Sequence, residues 1–245
     1  TVLLEEFLSG EEMSYFIIAD KNGYKFFGSA QDHKRVGEGD TGPNTGGMGA
    51  YSPSLIINEE LEKKIRKKII EPTLNGLKKL NHSYNGFLYA GLMIVNNEPY
   101  LIEYNIRMGD PECQVIMARL ETDLASVIEA TIAGKISDLE ISWNNKKSMC
   151  IVLCSKGYPG AYKKNIEIEK INNLILDKES FVFHAGTYEK DKKIYSSGGR
   201  VLNFITLSDD LRDARKKGSD LIKKLNWNNG FFRKDIGWKG ILKDK

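Results

Sequence analysis

Cysteine and histidine are both scarce in this chain of 245 residues, with three of each. Cys150 and Cys154 are four residues apart in a segment typical of a strand, where side chains at even spacing share a face. With only Cys113 besides them, no second pair is available to complete a zinc site. The pattern is typical of buried free thiols in a reducing cytoplasm.

The chain also lacks a long apolar run and a strong charge of either sign. No run approaches the roughly 20 apolar residues that cross a membrane. The net charge of +3 gives no reason to invoke nucleic acid or a polyanionic surface. Hydrophobic residues make up 41% and charged residues 28% of the chain, as in ordinary soluble proteins. We therefore expect neither membrane nor nucleic acid among its partners, and a cytoplasmic location.

An initiator methionine and a signal peptide are both missing at the start. Thr1 leads directly into an apolar segment that reads as a strand over residues 2–8. Because the upstream sequence can be absent, the lack of a signal peptide carries no conclusion by itself.

Alternating and helically spaced apolar residues predict a mixture of strands and helices. Asn22-Gly23 is a strong hairpin signal between two of the strands. Pro111 suits the first turn of a helix, and Ser208 can cap another. The predicted strands are 2–8, 13–19, 24–30, 87–95, 100–105, 149–155, 181–185, 193–195 and 201–207, and the further helices are 111–120 and 123–133.

A basic helix is predicted after Asn58, which can cap it. Leu61, Ile65 and Ile69 recur at helical spacing, and Pro72 should kink or interrupt the helix. The lysines and arginine between these apolar residues resemble a nucleic-acid patch. On an amphipathic helix a solvated face is the favoured interpretation.

The segment from 102 to 112 ends an apolar strand in polar residues. Glu103, Asn105 and, if the strand continues, Arg107 should share one face, because alternate residues of a strand do so. Two oxygen ligands beside a cation suit a hard metal and a phosphoryl group. The alternative is a surface strand that happens to end in polar residues.

A glycine-rich loop lies earlier in the chain, with six glycines between Gly37 and Gly49. Such a loop can bring backbone N–H groups close to an anion, and Lys34 and Arg35 at its start add positive charge. A flexible linker is the alternative. The ordered pattern from Thr41 to Gly49, which is not Ser-rich, favours a substrate loop.

These motifs together resemble glycinamide ribonucleotide synthetase, or phosphoribosylamine–glycine ligase, of the ATP-grasp superfamily. Each motif is weak alone, but their order and spacing are specific, and the resemblance covers essentially the whole chain. Met108 stands where the family usually has Leu or Phe, a change that conserves volume. The stretches that carry the resemblance are residues 4–12, 31–53, 86–93, 107–114, 157–160, 184–187, 198–202 and 233–238.

The resemblance implies an α+β fold in two domains. Residues 1–138 would form the second half of an ATP-grasp domain, an antiparallel sheet with helices, and residues 139–245 a small strand-rich C-terminal domain. Family members carry an upstream Rossmann-like domain and the first half of the ATP-grasp unit, with a glycine-rich flap. Neither is present in this chain, which we expect to be the C-terminal part of the family's length and to act with that missing N-terminal half.

The resemblance also implies a role for each candidate residue. Glu103 and Asn105 would hold Mg²⁺ or Mn²⁺, since the absence of nearby His or Cys argues against zinc. His33 suggests a general base, but a hydrogen-bonded loop histidine is favoured. The remaining roles are catalysis by Lys34, Arg107 and Asp110; ATP binding by Glu5, Glu6, Phe7, Leu8 and Glu12; and substrate binding by Asp32, Arg35, Asn44, Thr45, Gly46, Gly47, Met48 and Gly49.

The implied reaction joins glycine to 5-phosphoribosylamine. Glycine attacks the γ-phosphate of ATP to give glycyl phosphate, which the amine then attacks to give glycinamide ribonucleotide in purine biosynthesis. Two alternatives stay open. One is another ATP-grasp ligase, such as a biotin carboxylase or a carboxyaminoimidazole synthase, and the other is a nucleotide-binding fragment with no activity alone.

Overall fold

The computed structural model describes residue 2 and residues 4–244 as a mixture of strands and helices. The helices are α1 (Glu59–Ile65), α2 (Glu71–Lys79), α3 (Glu112–Met117), α4 (Leu124–Ile132), α5 (Leu211–Leu225) and α6 (Trp238–Lys243). The strands are β1 (Glu11–Ala19), β2 (Tyr24–Asp32), β3 (Arg35–Gly37), β4 (Thr41–Asn44), β5 (Gly49–Ser52), β6 (Gly86–Val95), β7 (Glu98–Asn105), β8 (Lys147–Ser155), β9 (Ser180–His184), β10 (Thr187–Lys190), β11 (Lys193–Ser196), β12 (Arg200–Ser208) and β13 (Gly230–Phe231).

The chain forms two compact units, each built from several segments. The first comprises residues 1–29, 54–109 and 122–141, and the second residues 30–53, 110–121 and 142–245. The division predicted from the sequence, 1–138 and 139–245, stays a prediction beside these units.

The first unit is a sheet in the order β7-β6-β1-β2, with β6 antiparallel to both β1 and β7. Its core lies between one face of this sheet and the helical segment that begins at Asn58. The buried residues are Met13, Tyr15, Ile17, Ala19, Leu61, Ile65, Ile69, Ile70, Leu88, Ala90, Leu92 and Ile94.

The helical segment of the first unit begins as the sequence predicts. The Asn58 side chain accepts a hydrogen bond from Leu61 N at 2.9 Å. The predicted interruption is a π-helical turn, Arg66–Ile70, directly before the start of α2, where Pro72 lies. Proline cannot donate a hydrogen bond to the preceding turn, so the helix widens there. The basic residues Lys63, Arg66, Lys67 and Lys68 are exposed, as expected for a solvated face.

The predicted strand over residues 2–8 is wrong for the part that can be judged. Leu3 lies outside the described residues, and Val2 and residues 4–8 belong to no regular element. Leu4 and Phe7 are 90% and 92% exposed. A buried strand needs a neighbour to pair and pack with, and apolar sequence alone does not supply one.

The second unit is a sheet in the order β5-β8-β12-β9, with β13 also paired to β8. Its pairings are antiparallel, and the last residues of β2 pair with β5. Helix α5 packs on β8 and β12, and α3 packs on β5 and β8. Cys150 and Cys154 are buried free thiols on β8, as predicted. Both units thus confirm the expected α+β class with antiparallel sheets and helices.

Two helix boundaries in the second unit differ from those predicted from the sequence. The helix predicted over residues 111–120 covers only Glu112–Met117. Helix α5 is capped by Asp210, whose Oδ1 accepts a hydrogen bond from Asp213 N at 2.7 Å, and not by Ser208. Ser208 donates instead to the Asp213 carboxylate at 2.6 Å, so both polar residues serve the same first turn.

Candidate functional site

The end of strand β7 in the first unit places Glu103 and Asn105 side by side. Asn105 Nδ2 donates a hydrogen bond to Glu103 Oε1 at 3.1 Å, which confirms that the two side chains share a face. An irregularity in the pairing with β6 lies next to Glu103, opposite Gly91. A Cβ on Gly91 would lie 3.3 Å from Glu103 Cγ. The absence of a side chain there therefore leaves room for the carboxylate.

Arg107 does not extend the strand face that Glu103 and Asn105 share. Strand β7 ends at Asn105, and residues 106 and 107 form a bend. The Arg107 guanidinium is exposed and donates from Nη1 to the carbonyl oxygen of Met108 at 2.9 Å. The condition for a shared face, a strand that continues to residue 107, is therefore not met.

Glu103 and Asn105 fit a hard metal ion and not zinc. Their donors are a carboxylate and an amide oxygen on an exposed strand edge. No three His, Cys, Asp or Glu side chains gather to hold a metal within residues 2 and 4–244. A two-residue site suits Mg²⁺, which keeps several waters and binds substrate phosphates.

The candidate ATP-binding residues lie at the start of the first unit. Glu5, Glu6 and Phe7 are exposed in the irregular segment before β1, and Glu12 on β1 lies opposite Met93. Between them, Gly10 approaches β6 so closely that a Cβ would overlap the Ile94 carbonyl. The chain is therefore fixed against the sheet at residue 10.

The glycine-rich loop in the second unit is ordered, so the linker alternative is wrong. The amides of residues 45–48 are all bonded inside the protein. Their acceptors are Lys34 O for Thr45, Tyr158 Oη for Gly46, Thr45 Oγ1 for Gly47 and His33 O for Met48, at 2.7 to 3.0 Å. The expectation that these N–H groups face an anion is therefore wrong for residues 45–48.

Met48 and Gly49 are packed in the core of this unit. The Met48 side chain is fully buried, with its sulfur 3.8 Å from Cys154 Sγ. A Cβ on Gly49 would lie 2.5 Å from the Cys150 carbonyl oxygen. Their substrate-binding role stays a prediction, and in this unit the apolar side chain of Met48 and the bare backbone of Gly49 pack on β8.

Arg35 and Asn44 lie opposite each other in the small β3–β4 hairpin, and both are exposed. Arg35 Nη1 donates to the carbonyl oxygen of Gly42 at 2.8 Å. The guanidinium thus closes its own hairpin.

Asp110 forms an ion pair with Arg200, which the sequence interpretation did not single out. Arg200 Nη2 lies 2.7 Å from Asp110 Oδ2, and its Nη1 donates to Asp110 O at 2.9 Å. The same Nη1 donates to Gly46 O at 2.6 Å. Arg200 therefore joins the glycine-rich loop to Asp110. The only sequence signal was its place in the stretch 198–202, which carries the family resemblance.

Asp32 lies against the same loop in a buried environment. A Cβ on Gly47 would overlap Pro111 Cδ and lie 2.9 Å from Asp32 Oδ1, and the φ of Gly47 is +112°. Burial and the neighbouring Glu112 carboxylate raise the pKa of Asp32, and Lys34 opposes this shift. Asp32 and Glu112 are thus two carboxyl groups in one buried region, with Lys34 as the nearby cation.

His33 is a structural residue of the loop. Its Nε2 accepts a hydrogen bond from Gly237 N at 3.0 Å, so the ring proton lies on Nδ1, 3.3 Å from the carbonyl oxygen of Gly49. Burial, followed by the charge of Arg233, lowers the pKa of His33 to about 4. A ring with both nitrogens engaged cannot accept a proton from substrate, which agrees with the favoured interpretation of a hydrogen-bonded histidine.

Two family models cover most of the chain. The ATP-grasp (A) domain of phosphoribosylglycinamide synthetase matches residues 1–113, and the C domain of the same synthetase matches residues 148–239. The chain belongs to the phosphoribosylglycinamide synthetase family. The resemblance seen in the motifs is thereby confirmed.

Relatives of this family align along the whole chain. It is 47% identical over 244 residues to a phosphoribosylamine–glycine ligase from Agrobacterium fabrum, covering 100% of this chain and 57% of that protein. It is 45% identical to the chloroplastic ligase of Arabidopsis thaliana, covering 98% of this chain and 46% of that protein. The chain thus spans about half the length of these relatives.

Solved structures agree with the family. The phosphoribosylamine–glycine ligase from Thermotoga maritima is 34% identical, with a TM-score of 0.83, and the match covers 95% of this chain and 57% of that one. A biotin carboxylase from Campylobacter jejuni is 12% identical with a TM-score of 0.64, covering 97% and 51%. At that identity the likeness shows the fold alone. In the described part of the chain, no helix is long and apolar enough to span a membrane.

Proposed function

We propose that this chain forms part of the active site that ligates glycine to 5-phosphoribosylamine at the expense of ATP. The products are glycinamide ribonucleotide, ADP and phosphate, and glycyl phosphate is the intermediate. The observation that supports the proposal is the placement of Glu103 and Asn105 beside each other on one face of β7, where a carboxylate and an amide oxygen would be available to a metal ion. Membership of the synthetase family and relatives named as this ligase along the whole chain support it.

Glu103 and Asn105 would hold Mg²⁺ or Mn²⁺. The metal, when bound, neutralises charge on the ATP phosphates. Lys34 and Arg107 are the proposed cationic partners of the transferred phosphoryl group and the acyl phosphate. Because an acyl phosphate and an amine react readily once held together, the protein contributes mainly position and charge.

The second unit supplies the proposed pocket for glycine and phosphoribosylamine. Asp110 and Gly46 are joined by Arg200, and Asp32 lies against the neighbouring Gly47. Thr45 and Gly46 would shape the wall of this pocket, because their amides are already bonded within the protein. Asn44 and Arg35 would line the exposed rim.

The nucleotide would contact Glu5, Glu6, Phe7 and Leu8 through its adenine and Glu12 through its ribose hydroxyls. In the family, the other half of the ATP-grasp unit and an N-terminal domain complete the site, and we propose that this chain acts with them in the cytoplasm. A closed lid from that half would exclude water from the acyl phosphate.

The test is glycine-dependent product formation by the complete protein. With ATP, Mg²⁺, glycine and phosphoribosylamine, ADP and glycinamide ribonucleotide should appear in equal amounts. Bicarbonate in place of glycine should give no ADP. ADP release that needs bicarbonate would overturn the proposal in favour of a carboxylase.

A second measurement addresses the alternative of an inactive nucleotide-binding fragment. The intact mass of the purified protein is compared with the 27.7 kDa of this chain, and residues 1–245 alone are assayed beside the complete protein. Metal-dependent ATP binding without turnover by the complete protein would favour that alternative.

A further inference from the structure

Arg233 is a charged residue that the proposed reaction does not use, yet it is among the most buried in the chain. Its side chain is 1% exposed. Nε and Nη2 contact the two oxygens of Asp235 at 2.8 and 2.7 Å. Nη1 donates to Asp40 Oδ1 at 3.0 Å and to Arg35 O at 2.9 Å. A buried guanidinium is stable only when its donors are satisfied, so this arrangement is fixed.

Two partners of Arg233, Arg35 and Asp40, lie on the β3–β4 hairpin, and residues near Arg233 in sequence contact the same hairpin. Asp235 Oδ2 accepts from Gly39 N at 2.8 Å, and Lys239 Nζ lies 2.8 Å from Asp40 Oδ2. Lys234 N also donates to Glu38 Oε1 at 3.3 Å. Residues 233–239 therefore form a clamp that contacts the hairpin at several points.

The clamp contacts both residues that flank the proposed catalytic Lys34. On one side of Lys34, Arg233 holds the carbonyl of Arg35. On the other side, Gly237 N donates to the ring Nε2 of His33. The carbonyl of Lys34 itself accepts from Thr45 N at 2.7 Å and from Thr45 Oγ1 at 2.9 Å. The carbonyls of Lys34 and Arg35 are thus both bonded, and the carbonyl of His33 accepts from Met48 N at 2.9 Å.

We infer that Arg233 is a positioning residue, which fixes the β3–β4 hairpin and thereby the placement of Lys34 and the glycine-rich loop for catalysis. The inference rests on the proposed function, because it assigns Lys34 a place in the reaction. Residues 233–239 would then support the reaction through their contacts with the hairpin.

The test compares R233M and R233K with the control R212M in the complete protein. Arg212 is an exposed residue of α5, so its replacement changes the charge equally without touching the clamp. R233M should lower kcat about 100-fold, as expected for misplacement by about 1 Å, with a smaller effect on KM. R233K should not restore kcat, because an ammonium cannot bridge Asp235 and Asp40 as the planar fork does.

Hydrogen–deuterium exchange provides a readout that does not depend on the reaction. In R233M the amides of residues 37–45 should exchange faster, while the amides of β8 and β12 keep their protection. A folded R233M with unchanged kcat and unchanged exchange in the hairpin would overturn the inference. If the unmodified protein makes no glycinamide ribonucleotide, the proposed function fails, and the exchange measurement still decides whether Arg233 fixes the hairpin.

If R233M does not fold, D40A takes its place. That change removes one partner of Arg233 and leaves the pair with Asp235 intact. It should lower kcat about tenfold and raise exchange at residues 37–45. If D40A keeps the kcat of the unmodified protein and the same amide exchange at residues 37–45, the inference is contradicted.

Discussion

Asn105 donates its side-chain N–H to the carboxylate of Glu103 at 3.1 Å, and this contact orients both groups on one face of strand β7. If the pair binds the metal, E103Q should lower kcat about 100-fold, because it removes the negative ligand of the cation that would neutralise the transferring phosphate, and should raise the Mg²⁺ requirement. Steady-state rates over a range of Mg²⁺ concentrations measure both effects.

The control for that prediction is E140Q, since Glu140 is an exposed carboxylate of the same unit. Neither change should move the melting temperature by more than a degree or two, because exposed substitutions rarely alter stability by more than about 0.5 kcal/mol. Full activity of E103Q at limiting Mg²⁺ would remove Glu103 from the metal site.

The buried, neutral His33 should make stability depend on pH. Its pKa of about 4 in the folded protein lies below the value of about 6.5 in an unfolded chain. The unfolded state therefore binds more protons between these values, and stability is lost as pH falls from about 6.5 to about 4. The loss from this residue is about 3 kcal/mol at most. Urea unfolding of the parent and of H33Q across this range measures it.

In H33Q the free energy of unfolding should fall less as the pH is lowered, although it is already lower than that of the parent at neutral pH. H82Q serves as the control, since His82 is exposed in the first unit. Identical pH profiles for the parent and H33Q would mean that His33 is not the titrating group.

Gly47 should tolerate no side chain. G47A places a methyl group against Pro111 and Asp32 at a φ of +112°, so we expect a loss of about 2–3 kcal/mol in unfolding free energy and a loss of activity. The matched control is G39A. Gly39 also has a positive φ, +67°, but nothing lies within 4 Å of its Cβ position, so only conformational strain of about 1 kcal/mol is expected. Equal losses in the two variants would show that the close approach to Pro111 and Asp32 is unimportant.

Arg200 and Asp110 should act as one unit. R200M releases both Gly46 and Asp110, so kcat/KM for glycine should fall about 100-fold, as for other misplaced binding groups. D110N should have a comparable effect, and the double variant should be no worse than the more damaged single one, because residues that act together are not additive. If the fold-losses in kcat/KM of the two single variants multiply in the double variant, the two residues have independent roles.

The local elements were readily predicted from the sequence. The Asn22-Gly23 hairpin, the Asn58 cap and the β6–β7 hairpin each depend on a few neighbouring residues, and each is present in the structure. Periodicity and capping are local properties, so a single sequence records them.

The errors involve partners that are distant in sequence. Residues 4–8 are apolar enough for a strand but pair with nothing in the described chain. The packing of Met48 on Cys154, which is distant in sequence, was not predicted. Arg200 and Arg233 reach Asp110 and Asp40 across long separations, which no spacing rule anticipates.

The π-helical turn at Arg66–Ile70 has a consequence for how insertions and deletions would act on this protein. One extra residue in a helix rotates all that follows by about 100°. In the helix after the turn, Thr73 Oγ1 lies 2.8 Å from Tyr104 Oη. The Tyr104 hydroxyl also donates to Ile69 O at 3.2 Å. Tyr104 is the residue between Glu103 and Asn105. Deleting one residue from the turn would restore an ordinary helix but move Thr73 away from Tyr104. A change in the length of this surface helix would therefore disturb the strand that carries the proposed metal ligands.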